Sequence, residues 1–412
     1  MNVDIAETIQ QDGKAINRLL LARRIDAATA PRLTAVCAQT MILYGLRRSR
    51  AVPVKTIAQL LPDISTALSA VRKRRVQVRL SADGLALEVP HPQPAPLAPP
   101  QTWPTGGDLL IGRAYGLAGG RDVRIDLADF PHILVVGQTG SGKSNLLQAA
   151  ILSQALGVSP ADLRFVLVDC KREALLPFQA LPHTNTFTWR ADEAAAVLAW
   201  ADAEIQRRID AGGHFGKLSD HPRLVIVIDE LRTAIASRQA SAALDRIVGV
   251  GRGLGVHVLA ATQHVDFAGA IRANFTARIV GPVVSGQAAA QASGMPGSGA
   301  QYLQGAGSFV MVAGGVADRF QGFYMAGHVE RLVQQVVQKW GGAQPQVAPQ
   351  VAPWAAKPQR DPRQELAEKI RPVWENGGSL AAMVRAAFGD NANTGGANRQ
   401  RVLDAVKMLE AG

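Results

Sequence analysis

Gly137-Gln138-Thr139-Gly140-Ser141-Gly142-Lys143-Ser144 decides the fold of this 412-residue chain. The spacing G-x-x-x-x-G-K-S lets a glycine-rich turn curl its backbone amides around a phosphate, and the following helix adds the positive end of its dipole. The context is the required one. Ile133–Val136 is a short β-branched run, and Asn145–Leu156 carries helical patterning. Gly137 to Asn145 are therefore expected to cradle the phosphates of ATP, with Lys143 reaching the β- and γ-phosphates and the Ser144 hydroxyl ligating Mg²⁺. A chance glycine-rich turn is the bland alternative, and the flanking strand and helix weigh against it.

Working outward, Leu224–Ile228 is an apolar run that ends in Asp229-Glu230. Downstream of a phosphate loop, Asp229 is expected to share the Mg²⁺ shell and Glu230 to polarise the attacking water. Phe165–Val168 ends at Asp169, with Lys171 close behind; a salt bridge at the strand end is the first expectation, a place beside the nucleotide the second. Val256–Ala260 runs into Ala261-Thr262-Gln263. A polar side chain at the carboxyl end of a central strand faces the ligand crevice, so Gln263 is a candidate γ-phosphate sensor, against a plain loop cap. Arg252 and Arg278 flank the last core strands. They are candidates for the arginine that a neighbouring subunit presents to the transition state, although most arginines merely solvate a surface.

Four nearly continuous apolar strands are separated by helical patterns at Asn145–Leu156 and Ala191–Ile209, the second with Leu198, Ile205 and Ile209 on one face. That alternation predicts an α/β fold with a mainly parallel central sheet and right-handed crossovers.

Two Pro-rich stretches divide the chain. Pro90–Pro104 holds seven prolines, and Gly341–Pro362 contains a short duplication, Gln346–Pro349 then Gln350–Pro353. The expected domains are an N-terminal module over 1–104, a core over 105–340, a linker over 341–362 and a tail module over 363–412. In the N-terminal module Ile57, Leu61, Ile64, Leu68 and Val71 recur at helical spacing and lead into Arg72, Lys73, Arg74 and Arg75. That basic cluster reads as a solvated helix end or a DNA contact. Val76, Val78 and Leu80 then alternate, Asp83-Gly84 marks a turn, and Leu85, Leu87 and Val89 alternate again, which predicts a hairpin. The tail shows three helical patterns, Arg363–Asn376, Leu380–Phe388 and Ala397–Leu409.

Lysines and arginines number 44 against 33 acidic residues, a formal charge of +11 that suits a polyanionic partner, since basic side chains gain by releasing counterions from phosphates. A solubility adjustment is the bland reading. Two distant cysteines, Cys37 and Cys170, argue against a disulfide framework or zinc site and suit a reducing, cytoplasmic setting. Asp4, Glu7 and Asp12 are unlike a signal peptide. Ala35–Leu46 is broken by polar residues and falls short of the roughly 20 apolar residues that span a bilayer, so no membrane insertion is expected.

Several ordered segments resemble the motor domain of the FtsK/SpoIIIE family. They are Asp126 through Gly137, with its Pro131-His132 pair; Arg164–Asp169 with Lys171; Glu204, Arg207 and Arg208; Arg252 through His257 leading to Gln263; and Ile271–Asn274 through Thr276–Ile279. The likeness runs from Leu109 to Met325. It implies a RecA-like P-loop ATPase core, a small N-terminal α/β module and a winged-helix-like C-terminal module. It further implies an ATP-dependent translocase of double-stranded DNA, working as a homo-oligomer, a hexameric ring with ATP between subunits. In that resemblance Ala397–Leu409 is the recognition helix, presenting Asn398, Arg399 and Arg401 to DNA; a helical oligomerisation module is the alternative for the tail. Departures are visible. Cys170 stands where the family has Pro, His264-Val265 where it has Arg-Pro, and Ser285-Gly286 with Ala288–Gln291 where charged residues follow a Ser-Ser segment. No membrane-spanning region precedes the motor, which points to a short soluble form. Two rivals stay open: a conjugative DNA-transfer coupling ATPase, and a non-motor regulator that uses ATP as a switch for DNA binding. Displacement of a triplex from duplex DNA separates the motor from the switch.

Overall fold

The structure is a computed structural model and describes residues 4–29, 35–81, 85–212, 221–264, 269–303, 305–341, 362–389 and 396–410. The chain divides into two compact units, Met1–Gln346 and Val347–Gly412, so the N-terminal module and the core lie in one unit.

The N-terminal module packs helices α1 (Ile5–Ala22) and α2 (Val54–Arg72) against strands β1 (Ala27–Thr29), β2 (Ala35–Cys37), β3 (Met41–Arg48), β4 (Arg79–Leu80) and β5 (Ala86–Pro90), with β3 pairing β1, β2 and β5. Ile16, Leu20, Ile57, Ile64 and Leu68 from the helices meet Ile42, Tyr44, Leu87 and Val89 from the sheet. The expected hairpin is present as the β4–β5 pair, and its turn, Asp83-Gly84, lies outside the described residues. Arg72 does neither of the things expected of it. Its guanidinium is buried on the carboxylate of Asp12, which also accepts the Tyr44 hydroxyl at 2.7 Å, and Arg72 Nη1 donates to the carbonyl of Pro90 at 2.5 Å. A buried carboxylate needs such a partner, and the basic end of α2 supplies it.

The core is a ten-stranded sheet built from β6 (Leu109–Gly116), β7 (Gly119–Ile125), β8 (His132–Val136), β9 (Leu163–Asp169), β10 (Thr184–Thr188), β11 (Arg223–Asp229), β12 (Val256–Thr262), β13 (Ala277–Val280), β14 (Ser308–Ala313) and β15 (Val316–Gly322). The spatial order is β10-β9-β11-β12-β8-β13-β14-β15-β6-β7. Strands β10 to β13 in that order run parallel; β14, β15, β6 and β7 extend the sheet antiparallel. The antiparallel strands were not foreseen: β7 and β15 mix charged and apolar residues, while the apolar runs Leu109–Ile111 of β6 and Phe309–Val312 of β14 were passed over. Helices α3 (Lys143–Gly157), α4 (Ala191–Asp210), α5 (Arg238–Val250) and α6 (Val329–Trp340) flank the sheet. Leu198 and Ile205 are buried as expected, whereas Ile209, in the last turn of α4, is exposed. Glu204 on α4 is buried against Arg208, whose Nη1 and Nη2 reach the carbonyls of Leu254 and Pro222 and so fix the helix to the amino ends of β12 and β11.

The tail unit holds α7 (Pro362–Glu375), α8 (Leu380–Phe388) and α9 (Gly396–Glu410), closed around Ile370, Val384, Val402 and Ala405. Its described residues contain helices only. The segment 390–395, where a wing or turn would fall, lies outside them. Among the described residues no helix is long and apolar enough to cross a membrane.

Candidate active site

Strand β8 delivers the chain at Val136 into the glycine-rich loop, and α3 leaves it at Lys143. Gly142 precedes the helix at φ 100°, a conformation that side-chain-bearing residues resist, and a Cβ there would stand 2.8 Å from the amide nitrogen of Gly307. That amide donates to the carbonyl of Ser141 at 2.7 Å, so the Gly305–Gly307 loop buttresses the phosphate loop from behind. The first turn of α3 has no side-chain cap, which leaves its amides to an anion. Lys143 is buried and its ammonium donates to the carbonyls of Gly137 and Gln138 at 2.8 and 2.9 Å. Burial lowers its pKa, and the charges of Glu230 and Asp229 work against that shift.

At the carboxyl end of the sheet β11 lies beside β9, so Asp229 sits directly opposite Asp169. Burial first, then the charges of Asp169 and Glu230, push the Asp229 carboxyl up to about 6. Glu230 follows at φ 62° and ψ 62°, a left-handed conformation that costs a non-glycine residue about 1–2 kcal/mol. That turn aims its side chain at two donors, one of which leads on to the phosphate loop. Glu230 Oε1 accepts from Lys171 Nζ at 2.7 Å and from Gln263 Nε2 at 2.8 Å, and Gln263 Oε1 accepts from Thr139 Oγ1 at 2.8 Å. Burial raises the Glu230 carboxyl, but hydrogen bonds from Lys171 and Gln263 with the charges of Lys171 and Lys143 outweigh it, and the pKa ends below the usual value. Glu230 is held as an anion. Cys170, between the acids, is a half-buried free thiol that burial and then Asp169, Asp229 and Glu230 push up to about 11, which leaves it unreactive near neutrality.

The donor set fits a magnesium nucleoside triphosphate. The buried Ser141 hydroxyl and Asp169 Oδ1 have no hydrogen-bond partner among the described residues, one on the loop and one beside Asp229. No group of three or more His, Cys, Asp or Glu among the described residues is placed to hold a metal alone, so a cation here draws on a hydroxyl and on phosphate oxygens as well.

The structure thus brings Gly137 to Ser144, Asp229, Glu230 and Gln263 to one end of the sheet. Three other candidates stand in different surroundings. Asn145, expected among the phosphate ligands, commits its side-chain oxygen to the amide of Met325 at 2.6 Å and anchors α3 to the segment after β15. Arg252 is exposed on a short 3₁₀ turn that enters the amino end of β12, opposite to the end at which Gln263 lies. Arg278 is half-buried on β13, and its guanidinium donates to the carbonyls of Phe275 and Arg272 at 3.4 and 3.0 Å. Neither arginine meets the phosphate loop of its own chain. In the tail unit Arg399 and Arg401 are exposed on α9, Arg401 with its guanidinium 5.4 Å from the Phe388 ring centroid, and Asn398 is half-buried. Sequence reading missed the Gly305–Gly307 buttress, whose only signal is a pair of glycines around Ala306. It also left Lys171 between two roles; the salt bridge is real, and its partner is Glu230 itself.

Residues 97–216, a stretch that includes the phosphate loop, match the model of the FtsK/SpoIIIE family. That stretch is similar to the FtsK/SpoIIIE family. The DNA translocase FtsK of Tropheryma whipplei (strain TW08/27) is 27% identical over 329 residues, 72% of this chain and 44% of that protein. The DNA translocase FtsK of Borreliella burgdorferi (strain ATCC 35210 / DSM 4680 / CIP 102532 / B31) is 28% identical over 349 residues, 78% of this chain and 43% of that protein. The chain spans less than half the length of these relatives. Among solved structures, the pCW3 conjugation coupling protein TcpA, in a monomer form with ATPgS, aligns with TM-score 0.51 at 16% identity, over 81% of this chain and 99% of that one. The fold is that of a P-loop ATPase.

Proposed function

We propose that this FtsK/SpoIIIE-type chain hydrolyses ATP and uses the energy to move double-stranded DNA. The observation that carries the reading is the hydrogen-bonded series Thr139–Gln263–Glu230–Lys171, which links the phosphate loop to the residue placed to polarise water. Glu230, held as an anion, orients the attacking water and accepts its developing proton; Lys143 lies on the charge that grows on the β- and γ-phosphates. Ser144 and Asp229 would hold Mg²⁺, which when bound neutralises phosphate charge. Gln263 bridges loop and base, so a change at the phosphates alters the position of Glu230.

By similarity to the DNA translocases, subunits would close into a ring, six in our reading, with each ATP between neighbours. Arg252, exposed on its turn, and Arg278, half-buried on β13, are the candidates for a neighbour's contribution. Exposed Arg399 and Arg401, with Asn398, would meet DNA from α9. An ATP-consuming site and an unreactive half-buried thiol suit the cytoplasm. At 16% identity the likeness to the coupling protein is one of fold and does not favour a secretion role.

The test is ATP turnover with and without duplex DNA, combined with displacement of a third strand. Turnover that rises on duplex addition, together with third-strand release that disappears in Glu230→Gln, is expected. Turnover indifferent to duplex, with no displacement, overturns the motor reading.

A further inference from the structure

A cavity of about 1290 Å³ lies away from the phosphate loop, where the N-terminal module meets the antiparallel half of the sheet. No residue from Gly137 to Ser144 lines it. One wall is apolar, with Leu43, Leu61, Val78 and Val310. The other is crowded with buried donors that have nothing to donate to. Arg79 Nε and Nη2, Arg319 Nε and the Ser298 hydroxyl are all buried without a hydrogen-bond partner among the described residues, and all three residues line this one cavity. Buried polar groups in folded proteins are nearly always paired, and an unpaired charged one costs several kcal/mol, so a cluster of them marks a missing partner.

The charge points the same way. Four arginines (75, 79, 121 and 319) and two carboxylates (Glu88 and Asp318) line the cavity, a balance of 4 − 2 = +2. Glu88 pairs with Arg319 and Asp318 with Arg121. The Arg79 guanidinium stands 6.0 Å from the centroid of the Tyr302 ring, and burial followed by repulsion from Arg319, partly offset by Glu88, lowers its pKa to about 9. Water can satisfy the donors but cannot offset the charge of Arg79. Gly299, at φ 80°, keeps the approach open, since a Cβ there would lie 3.4 Å from Arg319 Nη2.

We propose that this cavity is a second ligand site that takes a small organic phosphate monoester, with its phosphate on Arg79, Arg319 and Ser298 and its body along the apolar wall. A phosphate monoester carries about −1.5 to −2 near pH 7, which matches the uncompensated charge, whereas each DNA phosphodiester carries only one. The Nε–Nη2 edge of a guanidinium is the fork that grips two oxygens of such a group. The cavity is many times larger than a phosphate, which is why an organic body is required.

Phenyl phosphate is the probe, titrated calorimetrically into the full chain carrying Lys143→Ala, so that the phosphate loop is weakened and the outcome is independent of ATP turnover. Saturable binding is expected, weakened at least about tenfold by Arg79→Met, which keeps the apolar stem, and comparably by Ser298→Ala. The Tm of Arg79→Met is expected to hold or rise, because an unpaired buried charge is removed; a purely structural arginine would lower it. Absence of saturable binding, or affinity within twofold of the parent in both variants, overturns the proposal. Inorganic phosphate binding as tightly as phenyl phosphate overturns the organic body. Competition by a short duplex mole for mole assigns the donors to the DNA backbone and overturns the small-ligand site.

Discussion

The nucleotide pocket and the cavity under the N-terminal module are both lined with buried charge, and they handle it in opposite ways. In the first, Lys143 rests on two carbonyls and Glu230 receives two donors, so these two charges are satisfied within the chain, while Asp169 keeps one buried oxygen open beside Asp229. In the second, Arg79 leaves two buried N–H groups unpaired. The difference teaches what each is built for. A catalytic site needs its groups held in place before the reaction, so they hold one another. A site whose groups lack partners is completed only by what enters it. Asp12–Arg72, in the same N-terminal module, shows that this part of the chain pairs buried charge where it serves the fold alone.

The comparison can be broken most forcefully at Glu230. Glu230→Gln removes the base and is expected to lower ATP turnover about a thousandfold while leaving phenyl phosphate affinity in the other cavity unchanged; steady-state phosphate release and calorimetry check both halves. Next comes the paired charge of the N-terminal module. Asp12→Ala strands Arg72 and is expected to destabilise the chain by roughly 3 kcal/mol, seen as a lower urea midpoint, whereas Arg79→Met, which strands nothing, is not.

A third effect follows from buried histidines near the nucleotide strand. Burial depresses His132 to about 4, and burial, opposed by a hydrogen bond to Val158, does the same to His183. In the unfolded chain both titrate near 6.5, so between pH 6.5 and 4 the unfolded state binds protons that the folded state refuses. Stability is thus complete above pH 6.5 and falls as pH drops. At pH 5 each histidine costs about 2 kcal/mol. Urea midpoints at pH 7 and pH 5 measure this, and His132→Phe is expected to flatten the pH dependence. The smallest effect is at Gln263. Gln263→Ala leaves Glu230 with Lys171 alone and uncouples it from Thr139; turnover is expected to fall about tenfold, with a larger share of the loss in the DNA-stimulated rate than in the basal one.

Much of the nucleotide site was legible because its parts are local. The phosphate loop is eight consecutive residues, and Asp229 and Gln263 each sit where an apolar run stops. The side chain of Asn145, next to Ser144, is claimed by Met325, 180 residues away, and nothing local shows that partner. Arg72 likewise looked like surface because its neighbours are basic, while its partner, Asp12, lies 60 residues earlier. Of the antiparallel strands, β7 and β15 were hidden by their mixed composition. Lys171 was readable as an ion pair, and nothing local named Glu230 as its partner.

Sequence alone settled what depends on neighbouring residues: the glycine-rich turn, the strand that feeds it, the acidic strand end and the alternation of strand and helix. Those follow from backbone sterics and hydrophobic periodicity, which act over a few residues. Tertiary structure decided which charges meet. Whether a carboxylate finds a lysine or an arginine comes to stand beside a phenol ring depends on elements separated by tens to hundreds of residues, and on how deeply packing buries them, and no local pattern encodes that distance.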